Sequence, residues 1–288
     1  MLRMSKKMVA PLIPHPALLI EENSERILVV ADLHIGWEIS LMEKGIHIPS
    51  QTWRMKERLL KIVEKCRPNR IIFLGDVKQS IPRISFEEWK AVPEFFEAIQ
   101  KVVGEVWVTL GNHDGDLEPL TPRSVKIFPS SGLVVGRATR IGLFHGHAWP
   151  SPEVLASELL VMGHIHPVVR FRDKLGLRMV RQVWIKTICN GNKLAKAYLK
   201  YLGIKTDKNA TETLKRMVGI ELNDPGLIIM PAFNGLLAGV SVNRFRKRLT
   251  GPFFGSGSVN MADAEVYLTD GAYLGTAKQL STYNSVDV

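Results

Sequence analysis

The sequence predicts an α/β protein built on two sheets, and three patterns carry that expectation. Short apolar runs alternate with helical periodicity through the first half of the 288 residues. From about Val125 the pattern gives way to strands in quick succession. Five of the strand ends are followed at once by Asp, Asn or His. The length allows one large or two small domains. With no internal repeat and no linker-like stretch, a single domain over residues 1–240 is expected, with 241–288 as a C-terminal extension packed on it.

The elements follow in order. Arg26-Ile27-Leu28-Val29-Val30-Ala31 reads as a buried strand stopping at Asp32. A helical pattern covers Gln51 to Cys66, with Trp53, Leu59, Leu60, Ile62 and Val63 expected on one face. Arg70 to Leu74 is a second buried strand, closed by Gly75-Asp76. Ser85 is placed to cap a helix running to Val103, with Pro93 marking a kink or a new first turn. Val106 to Leu110 is a third strand, ending at Gly111-Asn112-His113-Asp114. This rhythm implies parallel strands with crossover helices. Further strands are expected over 133–135, 140–144, 159–162, 168–171, 177–188 and 227–230, and helices over 192–202 and 210–218. The Gly-rich last forty residues give no clear element.

Composition narrows the class. With 45% hydrophobic residues the chain can bury a core, and a mainly disordered chain is excluded. No window reaches the roughly 18–20 apolar residues of a membrane span. The basic start Met1–Lys7 is followed by a stretch broken by Pro11, Pro14 and Pro16, with no small-residue cleavage site, so a soluble, cytoplasmic protein is expected. Cys66 and Cys189 match no zinc or redox spacing and read as reduced and buried. The net charge of +10 favours polyanionic partners, although any one Lys or Arg reads as solvated surface.

The chemistry lies at the strand ends. Singly, Asp32-Leu33-His34 is a strand end with a cap, and Gly75-Asp76 or Gly111-Asn112 an ordinary turn. Together, five segments in chain order place oxygen or imidazole ligands just past apolar strands, and six of the eight histidines fall in them. Parallel strands bring such loops to one sheet edge. Mixed oxygen and imidazole donors without thiolate suit divalent manganese, iron, zinc or nickel. A carboxylate can bridge two such ions at roughly 3.5–4 Å.

As a set, Asp32/His34, Gly75-Asp76, Gly111-Asn112-His113-Asp114, His145 and Gly163-His164-Ile165-His166 resemble the calcineurin-like metallophosphoesterase superfamily over about residues 26–171. The resemblance implies a four-layer α-β-β-α sandwich of two mixed sheets flanked by helices, with a two-metal centre at the sheet edge, manganese first among its ions. It implies that Asp32, His34, Asp76 and His166 hold one ion, and that Asp76, as the bridge, holds the other with Asn112, His145 and His164. His113 would then be the general acid, or stabilise charge on the phosphate, with Asp114 fixing its orientation. His145 is preferred over His147 because it directly follows its strand. His147 is left to touch substrate or support the ligands, and Asn112 to touch substrate as well. The N-terminal Pro14-His15-Pro16, Ala31–Glu38, Gly45–Pro49, Val183-Trp184 and Met230–Gly235 segments are similar to the ICC-like, PdeM-type phosphoesterases associated with DNA repair clusters. One departure is Gln79, where related nucleases carry an acidic residue or histidine.

The expectation is therefore a metal-dependent phosphodiesterase acting on nucleic acid in repair, with a repair helicase as a partner. The alternative is a phosphodiesterase or phosphomonoesterase for nucleotides or cyclic nucleotides. A reading of the same fold as a binding scaffold within a repair complex is disfavoured, since no ligand is missing. Arg170, Arg172, Lys174, Arg178, Arg181 and Arg244-Phe245-Arg246-Lys247-Arg248 are candidate phosphate contacts.

Overall fold

The computed structural model describes residues 8–172, 177–206, 209–244 and 249–283. Met1–Lys7, Lys174 and Phe245–Arg248, read above for charge or targeting, lie outside the described residues.

The first sheet runs β1 (Met8–Pro11), β2 (Ala17–Glu22), β3 (Glu25–Val30), β4 (Arg70–Leu74), β5 (Glu105–Thr109) and β6 (Lys126–Phe128), side by side in chain order. β3 to β6 are parallel, and β1 and β2 form an antiparallel hairpin on β3. The second sheet contains β7 (Leu133–Val135), β8 (Ile141–Phe144), β9 (Leu159–Met162), β10 (Val168–Arg172), β11 (Arg178–Ile188), β12 (Gly226–Ile229), β13 (Glu265–Leu268) and β14 (Tyr273–Thr276). Its order is β14-β13-β11-β12-β9-β8-β7, with β10 paired to β11. β8, β9 and β12 are mutually parallel and the other pairs antiparallel, so both sheets are mixed. The helices are α1 (Trp37–Met42), α2 (Thr52–Cys66), α3 (Phe86–Gln100), α4 (Pro152–Leu155), α5 (Gly191–Tyr201), α6 (Ala210–Val218), α7 (Pro252–Gly255) and α8 (Ala277–Tyr283).

Strand alternation makes the four layers. Leu28, Val30, Ile71 and Phe73 point outward into a core shared with α2 and α3. Their neighbours Ile27, Val29, Ile72 and Leu74 point inward and meet Ile141, Leu143, Val161 and Trp184 of the second sheet. Phe144, Leu160, Met162, Leu227 and Ile229 face a third core under α5, α6 and α8. β3, β4, β8 and β9 bury both faces, which is why they read as continuous apolar runs. The result is a helix–sheet–sheet–helix sandwich.

Two expectations need correction. Trp53 is 49% exposed, because the buried stripe of α2 is Met55, Leu59, Ile62, Val63 and Cys66, and position 53 faces away from it. Residues 249–283 hold two strands and two short helices, since β13 pairs with β11 and β14 with β13. No helix among the described residues is long and apolar enough to cross a membrane. Cys66 and Cys189 are free and buried.

Candidate metal centre

The C-terminal ends of β3, β4 and β5 in one sheet and of β8 and β9 in the other converge on one edge. Past the strands the β3–β4 ladder continues, with His34 N–H donating to Asp76 O at 2.9 Å and Ile35 N–H to Val77 O at 2.8 Å. This fixes the two acidic loops against each other. Phe233 N–H bonds Ala31 O at 2.8 Å and the Asn234 amide bonds Leu33 O at 3.1 Å, so the chain after β12 holds the Asp32 loop from the other side.

Five site residues, Asp32, His34, Asp76, His164 and His166, have left-handed φ between 45° and 72°. That conformation costs of order 1–3 kcal/mol for a residue with a Cβ, and such strain concentrates at functional sites. It lets Asp32 and His34, or His164 and His166, share one side while Leu33 and Ile165 turn into the cores. The neighbouring glycines make room. A Cβ on Gly163 would lie 2.5 Å from Asp32 Oδ2, and one on Gly111 would collide with Asp76.

Asp32, His34, Asp76 and His166 present donor atoms within 4.8 Å of one another, and Asp76, His145 and His164 form a second such group. Asp76 Oδ2 lies 3.3 Å from His34 Nε2 and 3.2 Å from His145 Nε2, and Asp32 Oδ1 lies 3.3 Å from His166 Nε2. His164 Nδ1 lies 3.2 Å from His145 Nε2. Donors sharing an ion at 2.0–2.2 Å sit roughly 3.0–3.5 Å apart. His34 Nε2 and His166 Nε2 are buried without a hydrogen bond, although carboxylate oxygens are close. They are aimed past those oxygens, as donors around a shared cation are. The residues fit a divalent metal.

The other ring nitrogens are committed elsewhere. His34 Nδ1 bonds Gln79 Oε1 at 2.8 Å, His145 Nδ1 bonds Leu74 O at 3.0 Å, and His166 Nδ1 bonds Ala238 O at 3.2 Å. His164 Nε2 lies 3.4 Å from Thr250 Oγ1. The three oxygen acceptors of His34, His145 and His166 take Nδ1–H and so fix the tautomer that leaves Nε2 free to ligate. Gln79, the departure noted in the sequence, thus holds the His34 ring through its side-chain oxygen. The carbonyls of Leu74 and Ala238 leave no trace in side-chain patterns, so sequence reasoning does not find them. Gln79 and the Met230–Gly235 segment do stand out there, but their contacts do not.

Charge balance follows from proximity. Burial opposes ionisation of Asp32 and Asp76, yet the imidazoles around them, led by His166 for Asp32 and by His145 for Asp76, hold both below the usual carboxylate range. Burial opposes charge on His145 too, but Asp76 and Asp32 raise it to about 9. His164 and His147 are pushed down to about 4, first by burial and then by the His145 charge.

His113 stands at the rim, its ring centroid 4.7 Å from that of His34. Its N–H donates to Asp76 Oδ1 at 2.9 Å, and its Nδ1 bonds Gln79 O. Burial lowers its pKa. The expectation that Asp114 orients this ring is corrected. Asp114 is fully buried, and its oxygens accept from Gly111 N–H at 2.9 Å, Val77 N–H at 2.9 Å and Lys78 N–H at 3.3 Å, tying the loops after β4 and β5 together. Burial, then Asp76, raises it to about 6. Asn112 is exposed beside His113. His147 is half-buried, 5.3 Å from the His145 ring, and its Nδ1 has no hydrogen-bond partner. Arg170, Arg172, Arg178 and Arg181 are exposed on the β10–β11 hairpin that starts two residues beyond His166.

The profile of the calcineurin-like phosphoesterases matches residues 25–198. No curated protein matches the chain. Among solved structures, a nuclease MPE from Pseudomonas putida is 17% identical with a TM-score of 0.51, over 92% of this chain and 98% of its own. The phosphoesterase Yfce from E. coli is 19% identical with a TM-score of 0.35, over 51% and 73%. A protein of unknown function from Aquifex aeolicus, AQ665, is 18% identical with a TM-score of 0.34, over 49% and 78%.

Proposed function

Because the chain belongs to the calcineurin-like phosphoesterase family, hydrolases of phosphoester bonds, we propose that it cleaves phosphodiester bonds in nucleic acid with two divalent cations held between its sheets. The observation that carries the two-ion reading is the sharing of Asp76 by both donor groups. Asp32, His34, Asp76 and His166 hold one ion, and Asp76, His145, His164 and Asn112 the other. The donors are oxygen and imidazole, so manganese is the first ion to test. Such ions supply Lewis-acid charge to the phosphate and lower the pKa of water.

The chain's own groups do the rest. His113 donates Nδ1–H to the Gln79 carbonyl, so Nε2, protonated when the ring is an imidazolium, is the atom that passes a proton to the leaving oxygen and returns the ring to its neutral Nδ1–H form. Asp114 keeps the loop carrying His113 in register with Asp76. The unpartnered His147 Nδ1 contacts a phosphoryl oxygen. The hairpin arginines and the net charge of +10 support a polyanionic substrate. The Ala31–Glu38 and Met230–Gly235 segments support placement with the repair-associated ICC-like, PdeM-type enzymes.

The test is turnover of bis-p-nitrophenyl phosphate and oligonucleotides by Mn²⁺-loaded protein, with metal content measured alongside. Asp76→Asn is expected to lose at least one ion and activity by at least about 10²-fold. His113→Ala is expected to keep its metal and to slow esters with poor leaving groups most, by about 10²-fold or more. An Asp76→Asn variant with unchanged metal and turnover would refute the assignment.

A further inference from the structure

Two separate segments lead from the metal edge to helix α5. The first is the loop after β8, where Trp149 follows His147 by two residues. Its ring packs on Tyr198 and Tyr201 of α5 at centroid distances of 5.4 and 5.8 Å. Tyr198 is buried, but Tyr201 is 61% exposed and lies 32° from the Trp149 plane. The second is the segment entering α7. Thr250 touches His164, and a few residues on, Gly255 and Ser256 line a cleft of about 580 Å³ whose other wall is α5.

Lys193, Lys196 and Lys200 line that cleft at spacings of three and four residues, which puts them on one helix face. Lys205 stands in the same cleft. All four are exposed, and no carboxylate lines the cleft among the described residues. The opposite face of α5 is committed to the core through Leu194, Ala195, Tyr198 and Leu199. A row of lysines on a helix is ordinarily a solvated face. This row differs in three respects: it lines a cleft, it faces no acidic residue there, and its helix ends in an exposed tyrosine stacked on the loop of a site histidine.

Spacing identifies the ligand class. At 1.5 Å per residue, Lys193 to Lys200 spans about 10 Å, more than one phosphate can engage. Thr250 to Ser256 spans at most about 21 Å. The lysines suit successive phosphates of one strand, and the tyrosine face suits a base, the pairing by which proteins hold nucleic-acid strands.

We propose that α5 and the Trp149–Tyr201 stack form an exosite that a nucleic-acid strand occupies when its scissile phosphate lies at the metal edge. The lysines bind backbone phosphates and Tyr201 stacks on a base. This rests on the nucleic-acid reading given above.

The test uses a fluorescein-labelled oligothymidylate of about twenty nucleotides with phosphorothioate linkages. Its affinity for the full Mn²⁺-loaded chain is measured over a salt series, against Lys193→Ala/Lys196→Ala/Lys200→Ala and against Tyr201→Ala. Bis-p-nitrophenyl phosphate turnover is measured on the same samples. The triple variant is expected to bind at least about tenfold more weakly at low salt, with a salt slope shallower by about 2, near 0.7 per lost phosphate contact. Tyr201→Ala is expected to lose about tenfold with its salt slope unchanged. Ester turnover is expected to stay at the parent level in both. Parent-like binding by both variants would overturn the exosite and leave the nucleic-acid reading standing. A parent chain that turns over the ester but binds no oligonucleotide would overturn both. A triple variant that loses ester turnover as well would overturn the exosite, because the lysines would then be supporting the fold of the site.

Discussion

Two of the imidazoles at the metal edge depend on Gln79. Its side-chain oxygen takes His34 Nδ1–H at 2.8 Å and its carbonyl takes His113 Nδ1–H. Gln79→Ala removes only the first contact, because the second is backbone. The expected outcome is a 10- to 100-fold loss of metal affinity, the usual size for a group that orients a ligand. Leaving-group dependence should be unchanged, and Gln79→Glu, which keeps an acceptor, should restore the affinity. Equal metal titrations of parent and Gln79→Ala would contradict this role. At this scale the residues that converge at the edge were legible as candidate ligands, because each follows an apolar run directly and is spaced i, i+2 or preceded by glycine. The partners of Asp114 were not. Its three acceptor bonds go to backbone N–H groups, two of them in the distant loop after β4, which side-chain patterns do not encode.

At the scale of elements, α3 does more than cover the first sheet. Its capping box pairs Ser85 Oγ with Glu88 N–H at 3.2 Å and Glu88 Oε2 with Ser85 N–H at 2.8 Å. Glu88 Oε1 also accepts from Gln79 N–H at 2.9 Å and Ser80 N–H at 2.7 Å, joining the helix start to the loop behind the metal edge. Burial acts to raise the Glu88 pKa, but these N–H donors outweigh it and lower the group. A depressed carboxylate contributes stability that is complete above its unfolded value, about 4.5, and is lost as pH falls through the folded one. Glu88→Gln should therefore be less stable than the parent at neutral pH, by about 1–3 kcal/mol. The gap should narrow between neutral pH and about pH 3, as pH falls below the unfolded value toward the lowered folded one. Denaturant titrations at the two pH values check this, and a gap of equal size at both would refute it. The cap was legible from Ser85, and the long central strands from their doubly apolar runs. β13 and β14 were not, because each is only four residues long and they lie among turn glycines; β13 is placed by pairing with β11, and β14 by pairing with β13.

At the scale of the whole molecule, the site is a property of how two sheets dock. Asp32, His34 and Asp76 come from the first sheet, and His145, His164 and His166 from the second. Free cation at about 100 times its dissociation constant should add about 2.7 kcal/mol per site to the folded state. For a chain of this size that raises the melting temperature by roughly 5 °C or more per site. Melting with Mn²⁺ against chelator checks this, and Asp76→Asn should show a smaller rise. An identical melt in both conditions would contradict a resident metal. The divided parentage of the ligands also bears on time. Neither half offers a full set until the halves have met, so bound ions would act on the docked chain alone. They would then slow disassembly and leave the rate of assembly as it was. The lifetime of the folded chain would then follow how often an ion escapes, and withdrawing the metal would shorten it.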